Sequence, residues 1–522
     1  MASIQAYTLP APVGGVDNSQ AISAMQELNC LYAYNMSPES NGLRVRDGYS
    51  EWANGTTGTT GVRTIVPFVG AAEDGSEDKL FAVTREGVFD VTTQGTTSPT
   101  QVVTWGTTTG DAGLCSYTQM ETIADVYLFV ADGANGVRRY AGSTGTWSTP
   151  SLTGPTAASV SFVMAWKNIL WFIEGGTGSA WYLPVGTIAG TATEFQFGNR
   201  FQHGGFLVGM YNWTVDGGDG SDDYLAIISS SGDLLVYRGT NPDTIFELQG
   251  SWYVGKLPAG RKIAVEYGGD LLLLSRYGIL SMAALLRGLD ISSNELYITY
   301  KISASLRVLL TDTHTSDGWE VLTSPHDNLL FVLTPKREGY AYLQYVMNLS
   351  TGAWAAWQGV PMQTACVGPT GDLYFGCADN SVFETTGFVD GVTLAGATGD
   401  PIQSALLSAF STLGTDPAKF KKVGMIRPLF KAQSKPEYLL KTRVDFDVED
   451  VNIYPTEDQP QGNEWDAGVW DAANWIGGAV SLRRPQGSNG LGIFIAVAIN
   501  MTTIDDTTLA GFNVLFQEGG ML

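Results

Sequence analysis

The stretch DYLAIISSSGDLLVYRG (Asp223–Gly239) decides the fold. An apolar run, Tyr224–Ile228, meets a polar turn, Ser229–Asp233, and a second run, Leu234–Tyr237, ends on an aromatic residue. Two short runs rich in β-branched and aromatic residues across a Ser/Gly/Asp turn read as a β-hairpin. The same unit recurs in stretches starting at Leu80, Val126, Ile169, Leu271, Leu329 and Asp372. With Leu80, Tyr127, Ile169, Tyr224, Leu271, Leu329 and Leu373 taken as equivalent, the seven hairpins follow one another at steps of 42 to 58 residues.

A strand-rich period of roughly 40–50 residues is that of a β-propeller blade. Each hairpin is then the middle of a four-stranded blade. Val62–Val69, Phe206–Trp213 and Arg261–Tyr267 are positioned to precede the first, fourth and fifth hairpins. Stacked blades bury both faces of a sheet, which suits runs apolar throughout, such as Leu271–Leu274. A long β-sandwich or β-solenoid is the alternative, but a sandwich has no reason to repeat at this step. The expected fold is all-β, a propeller of about seven blades with a separate C-terminal β-sandwich-like domain.

Outward from the repeat, the chain divides into an N-terminal arm and ring-closing segment (1–60), the propeller (61–387) and a C-terminal β domain (388–522). In the arm, Met1–Asn18 reads as irregular, with Pro10, Pro12, Gly14 and Gly15, and Ser19–Tyr34 as a short helix capped by Ser19. Leu43–Trp52 reads as a strand that closes the ring against the last hairpin. An insertion at 287–318 carries ELYITYKISASLRVLLTD, predicted to be helical from about Asn294 to Leu310, as a contact element or as a strap over a blade. Gly387–Asp400 reads as a linker. Six strands are expected beyond it, at Ile402–Leu413, Val423–Lys431, Leu439–Asp447, Ala479–Leu482, Gly492–Asn500 and Thr508–Phe516.

Composition bounds the function. The 522 residues carry 29 Lys and Arg against 52 Asp and Glu, a net charge of −23, which argues against a protein that coats nucleic acid. A passage through which DNA slides without sticking stays open. Four Cys make no disulfide framework and read as small buried apolar residues, although Cys366 and Cys377 flank one hairpin. The N-terminus shows no basic region followed by an apolar core, so no signal peptide is expected, and no run of 18 apolar residues suggests membrane insertion.

Catalytic signatures are scarce. His203, His314 and His326 share no metal spacing, and Walker-type, G-x-S-x-G and H-E-x-x-H motifs are missing, so neither an enzyme nor a cofactor is expected. VDGGDGSDD sets Asp216, Asp219, Asp222 and Asp223 in a glycine-rich turn that suits Ca²⁺ in its hard oxygen ligands but not in EF-hand spacing; a solvated acidic turn is the plainer reading. Trp465, Trp470 and Trp475, five residues apart, suit stacking on sugars or, more plainly, stapling a loop-rich segment to its domain. Lys419, Lys421, Lys422, Arg427, Lys431, Lys435, Lys441 and Arg443 form a basic stretch, with Glu437 the one acid among them. In an acidic chain this suggests an assembly interface, centred on Lys419, Lys421, Lys422 and Arg427, with an acidic neighbour. A DNA-phosphate contact and a solvated strand face are the other readings.

Three passages together resemble the tail-nozzle (tail tubular or hub) proteins of short-tailed bacteriophages. They are NGLRVRDGYSEWA (Asn41–Ala53) with VRTIVPF from Val62; DDYLAIISSSGDLLVYRGTNP from Asp222 with WYVGKLPAGRK (Trp252–Lys262); and SAFSTLGTDPAKFKKVGMIRPLF (Ser408–Phe430) with EWDAGVWDAANW (Glu464–Trp475). They are packing and turn motifs, not catalytic ones. The resemblance implies a structural virion protein of the tail, assembled in the host cytoplasm. It implies a ring, a homo-hexamer, below the portal and adaptor, in contact with tail fibre or spike proteins. Such a ring retains packaged viral DNA and conducts it through its lumen at ejection. The runner-up is a propeller used as a carbohydrate-binding or depolymerising tail protein; a scaffold unrelated to phage is the third reading.

Overall fold

The computed structural model describes residues 4–216, 221–434, 436–449, 454, 480–482 and 486–521. The chain is all-β, a seven-bladed propeller with a C-terminal β-sandwich-like domain. All seven hairpins are the middle pairs of successive blades. Blade 4 is built from Leu207–Asp216, Ser221–Ser229, Asp233–Asn241 and Ile245–Tyr253, all antiparallel. Its central strands bury Leu225–Ile228 and Leu234–Tyr237 fully, because neighbouring blades cover both faces. The first strand of each blade lies innermost. Thr364–Val367 of blade 7 packs beside Thr64–Phe68 of blade 1, which closes the ring.

Blade 5 departs from the pattern. Only Ala264–Tyr267, Asp270–Ser275 and Gly278–Ser281 pair as strands. The place of the fourth strand is taken by the insertion, where Tyr297 bridges Leu280 and Ile298 N donates to the Ile279 carbonyl. That pairing holds Tyr297 extended, so the predicted helix from Asn294 is broken into two short 3₁₀ turns and begins properly only at Ser303–Thr313. The helix buries Leu306, Leu309 and Leu310. Lys301 Nζ donates to the Gly14 carbonyl and Asn18 Nδ2 to Ser305 Oγ, so the insertion acts as a strap between the propeller and the N-terminal segment.

Blade 7 draws its outer strand from the other end of the chain. Tyr49–Ala53 pairs antiparallel with Val382–Thr385. The expected single strand Leu43–Trp52 is two strands, because the chain turns between them. Gly42–Val45 leaves for the sandwich, pairing with Met36–Glu39 and with Thr508 and Leu509.

The first 40 residues also differ from the sequence expectation. Ile4–Pro10, expected to be irregular, is a strand on Gly511–Gln517. Ser19–Tyr34, expected to be helical, has one 3₁₀ turn at Ile22–Ala24 and then the strand Asn29–Tyr34, which pairs with Asp400–Ser408. Tertiary pairing overrides a local helical pattern here. The segment read as a linker contains Val389–Val392, hydrogen-bonded between Tyr49–Ala53 and Asp400–Ser408.

The sandwich has two sheets. One centres on Lys419–Ala432 and Thr507–Met521, and the other runs Asn29–Tyr34, Asp400–Ser408, Ile495–Thr503, Glu437–Val444. Val423, Ile426, Phe512 and Val514 from the first meet Leu406, Val497 and Ile499 from the second in one core. That core continues without a break into Leu272, Leu310, Leu330 and Trp354 of the propeller. The second sheet is also continuous with blade 6, through Gly15–Val16 and Trp354–Gln358.

Asn35 sits at the junction with φ 57°, a left-handed conformation that asparagine tolerates. Its Nδ2 donates to the carbonyls of Gln358 in blade 6 (3.0 Å) and Gln403 in the sandwich (2.8 Å). Its Oδ1 accepts from Gln358 N and from Arg46 Nε. Arg46, almost fully buried, makes a bidentate pair with Asp390 at 2.7 and 2.6 Å. Asn35→Ala should therefore destabilise the protein by about 3 kcal/mol, since it strands several buried partners at once. Chemical denaturation should still show propeller and sandwich unfolding in one transition; two separate transitions in the wild type would contradict the shared core.

Candidate functional site: the propeller axis and its mouth

The innermost strands leave an axial cavity of about 380 Å³, walled by residues of blades 2 to 7 such as Ser116, Val163, Met210, Val265, Val321 and Ala365. The axis is blocked by Lys262. It lies just before the first strand of blade 5, beside Glu320 in a parallel bridge. Its Nζ reaches the Ala365 carbonyl (3.2 Å), Thr364 Oγ1 and the Ile65 carbonyl (3.5 Å each), and lies 3.8 Å from Glu320 Oε1. The ammonium also sits 5.3 Å from the centre of the Tyr117 ring. Glu320 accepts from Thr364 Oγ1 (2.8 Å) and Ala365 N (3.0 Å). One side chain thus touches blades 1, 2, 6 and 7 from its place at blade 5. Burial pulls the Lys262 ammonium down, but Glu320 and then Tyr117 outweigh it, and its pKa is raised overall. Burial pushes the Glu320 carboxyl up, with Lys262 the main opposing influence.

Above this plug, on the face where chain segments enter the innermost strands, opens a cavity of about 590 Å³. Its wall combines apolar Leu114, Phe206, Leu257 and Met362 with Arg63, Asp111, Lys256, Arg261, His314, Asp317, Lys336 and Tyr342. Arg63 donates to the Gly110 and Ala112 carbonyls (2.9 and 2.7 Å) and to Asp317 (3.0 Å). Arg261 donates to Asp111 (2.8 Å). Lys336 lies 4.5 Å from the centre of the Tyr342 ring. Every carboxylate in this wall is held by a cation: Asp111 by Arg261, Asp317 by Arg63 and Glu320 by Lys262. The arrangement suits recognition of a polar ligand. It offers no free carboxylate pair of the kind a glycosidase uses.

Of the candidate catalytic, metal and interface residues singled out from the sequence, His314 alone falls here. Asp216 ends the first strand of blade 4 opposite Ser221, Asp222 pairs with Val215, and Asp219 lies outside the described residues. Asp223 faces Thr214 in that pairing. Among the described residues no group of three His, Cys, Asp or Glu is placed to hold a metal ion. Trp465, Trp470, Trp475 and Lys435 lie outside the described residues. The four cysteines are buried and unpaired. His203 binds Asp233 through its ring nitrogen at 2.7 Å.

The basic stretch is corrected in part. Lys421 is 0 % exposed, and its Nζ donates to the carbonyls of Asp416, Lys419 and Ile493. Burial holds its ammonium below the usual lysine range. It is an internal tie, not a surface charge. Lys419 pairs with Glu518 at 3.1 Å and Arg443 with Asp447 at 2.8 Å. Lys422 is exposed and Arg427 partly exposed. Strand alternation puts Lys421 on the buried face with Val423 and Lys422 on the opposite one. The mouth residues were missed, because they come from segments of several blades far apart in the chain and no local motif joins them.

Lys262→Met should cost about 3–5 kcal/mol, since it leaves Glu320 buried without its partner. Lys262→Met with Glu320→Gln should be more stable than Lys262→Met alone. Equal stability of the two variants in denaturant melts would contradict the axial pair.

No family model and no curated protein matches the chain. Among solved structures it is similar to the extracellular domain of a hybrid two-component system from B. thetaiotaomicron, at 11% identity and a TM-score of 0.38. The match covers 63% of this chain and 40% of that one, so the chain spans less than half the length of its structural neighbour.

Proposed function

We propose that the chain is a structural subunit of the tail nozzle of a short-tailed bacteriophage. In this reading copies form a ring, a hexamer, that holds packaged DNA and conducts it at ejection. The observation that carries it is the joining of propeller and sandwich into one body. One of the three passages that resemble the nozzle family does the joining, and a second links the two sheets of the sandwich. Asn41–Ala53 supplies a sandwich strand and then the outer strand of blade 7. Ser408–Phe430 begins in one sandwich sheet and ends in the other. The passage Trp252–Lys262 ends on the axial plug.

A part that bears load at a portal needs such a body, with no hinge between its domains. Because Lys262 closes the propeller axis, DNA in this reading passes between copies and not through any one of them. A net charge of −23 per copy suits a lumen that repels phosphate and so does not retain DNA by adhesion. Ring contacts need large, well-packed surfaces, and exposed Lys422, Lys431 and Lys441 with partly exposed Arg427 are the part of the basic stretch that would meet an acidic neighbour. In the carbohydrate-binding reading the mouth cavity would be the ligand site.

Electron microscopy of the purified protein with portal and adaptor rings from the same source tests the proposal. Six-fold rings with an axial channel between subunits are expected. Lys422→Glu with Arg427→Glu should weaken ring assembly, more at low salt than at high salt if attraction to an acidic neighbour drives it. A chain that stays monomeric and joins no ring would overturn the proposal.

A further inference from the structure

We propose that the propeller mouth is a binding site for a compact organic oxyanion, a small polycarboxylate or phosphorylated molecule, gripped by Arg63, Arg261 and Lys336 in place of Asp111 and Asp317. The cavity, at about 590 Å³, is of the size that small-molecule sites occupy. Its charge runs against that of the chain. Four cations, Arg63, Lys256, Arg261 and Lys336, line a wall in which Glu320 is already committed to Lys262. That leaves two carboxylates to balance them, in a protein where acids outnumber bases 52 to 29.

The two ion pairs of the rim are lopsided. The guanidinium side chains of Arg63 and Arg261 are 9% and 18% exposed, while their partners Asp317 and Asp111 are 50% and 58% exposed. The cations are therefore set in the wall, and the carboxylates reach in from loops at the edge. Arg63 is fixed independently of Asp317 by two backbone carbonyls, so its fork stays in place if the carboxylate leaves. A guanidinium held this way accepts carboxylate or phosphate oxygens in the same geometry that Asp317 now uses. Burial first, then the like charge of Arg85, hold the Arg63 pKa below its usual value. Lys336, over the Tyr342 ring, supplies a third cation across the opening. Phe206 and Leu257 offer apolar surface for the carbon frame of the ligand.

The site does not depend on ring assembly; a single copy contains all of it. The test is isothermal titration calorimetry of the full-length protein with citrate and with inorganic phosphate, at constant ionic strength. Saturable binding of citrate, of phosphate or of both supports the site, and which of them binds tells carboxylate from phosphate as the recognised group. Asp317→Asn removes the internal competitor and should tighten binding by about tenfold, while Arg261→Gln should weaken it by about tenfold, each change amounting to one charge-assisted hydrogen bond. The gain expected of Asp317→Asn keeps the test decisive even if Arg261→Gln folds poorly. No saturable heat with either anion, in the wild type and in Asp317→Asn, would overturn the proposal. So would a loss of affinity in Asp317→Asn.

Discussion

The structure turns on one lysine. A propeller is a ring of sheets whose innermost strands converge on an axis, and those strands carry polar backbone and threonine groups that need partners away from water. Lys262 meets that need from blade 5 with a single ammonium shared among Ile65, Thr364, Ala365 and Glu320. Blades 7 and 1 are where the two ends of the ring meet, and the ammonium bonds to both. Burying a charge is expensive, and it is tolerated here because a carboxylate and three oxygen acceptors surround it. The plug's partner, Glu320, also lines the mouth. Gly260 and Arg261, immediately before Lys262, form part of the cavity wall, so the same turn of chain seals the axis and presents a cation to the opening.

The second constraint is the management of strand edges. Outer strands of blades expose unpaired backbone, which invites unwanted association. Blades 6 and 7 solve this by joining the sandwich. Trp354–Gln358 is continued by Gly15–Val16 and Asn29–Tyr34, and Tyr49–Ala53 by Val389–Val392. The N-terminal segment is therefore no loose arm: its strands are shared between both domains, and Asn35, Arg46 and Asp390 fix the crossing. Blade 5 is sealed differently, by an insertion whose helix then straps the N-terminal segment down. These devices join blades 4 to 6 of a repeat array to the sandwich through one shared core, while the other blades pack in clusters of their own.

The seven hairpins were legible because each is local: an apolar run, a turn rich in Gly, Ser and Asp, and a second run. The strand at Tyr49–Ala53 was legible as a ring closer because the repeat left the last blade one strand short. The strand at Asn29–Tyr34 was not, because its partner Asp400–Ser408 lies some 370 residues away and nothing nearby favours extension. The apparent linker hid a strand, since one of its partners, Tyr49–Ser50, is distant and its local one, Asp400–Pro401, lies across a glycine-rich turn. At the site the loss is greater. Lys421 and Lys422 are the same residue type side by side, and the alternation of their strand buries one beside Val423 and exposes the other. Lys262 and Glu320 are separated by a whole blade and its insertion, and their pairing follows from the stacking of blades 5 and 6, whose innermost strands lie side by side.

Native-state hydrogen exchange at Val321 and Ala365 addresses the axial plug most directly. Val321 N donates to the Lys262 carbonyl at 2.7 Å, and Ala365 N donates to Glu320 Oε2 at 3.0 Å. If the plug holds the ring, both amides should exchange only through global unfolding, with the same free energy as the central strands of blade 4. Exchange of either amide by a local opening, while those central strands stay protected, would contradict the account.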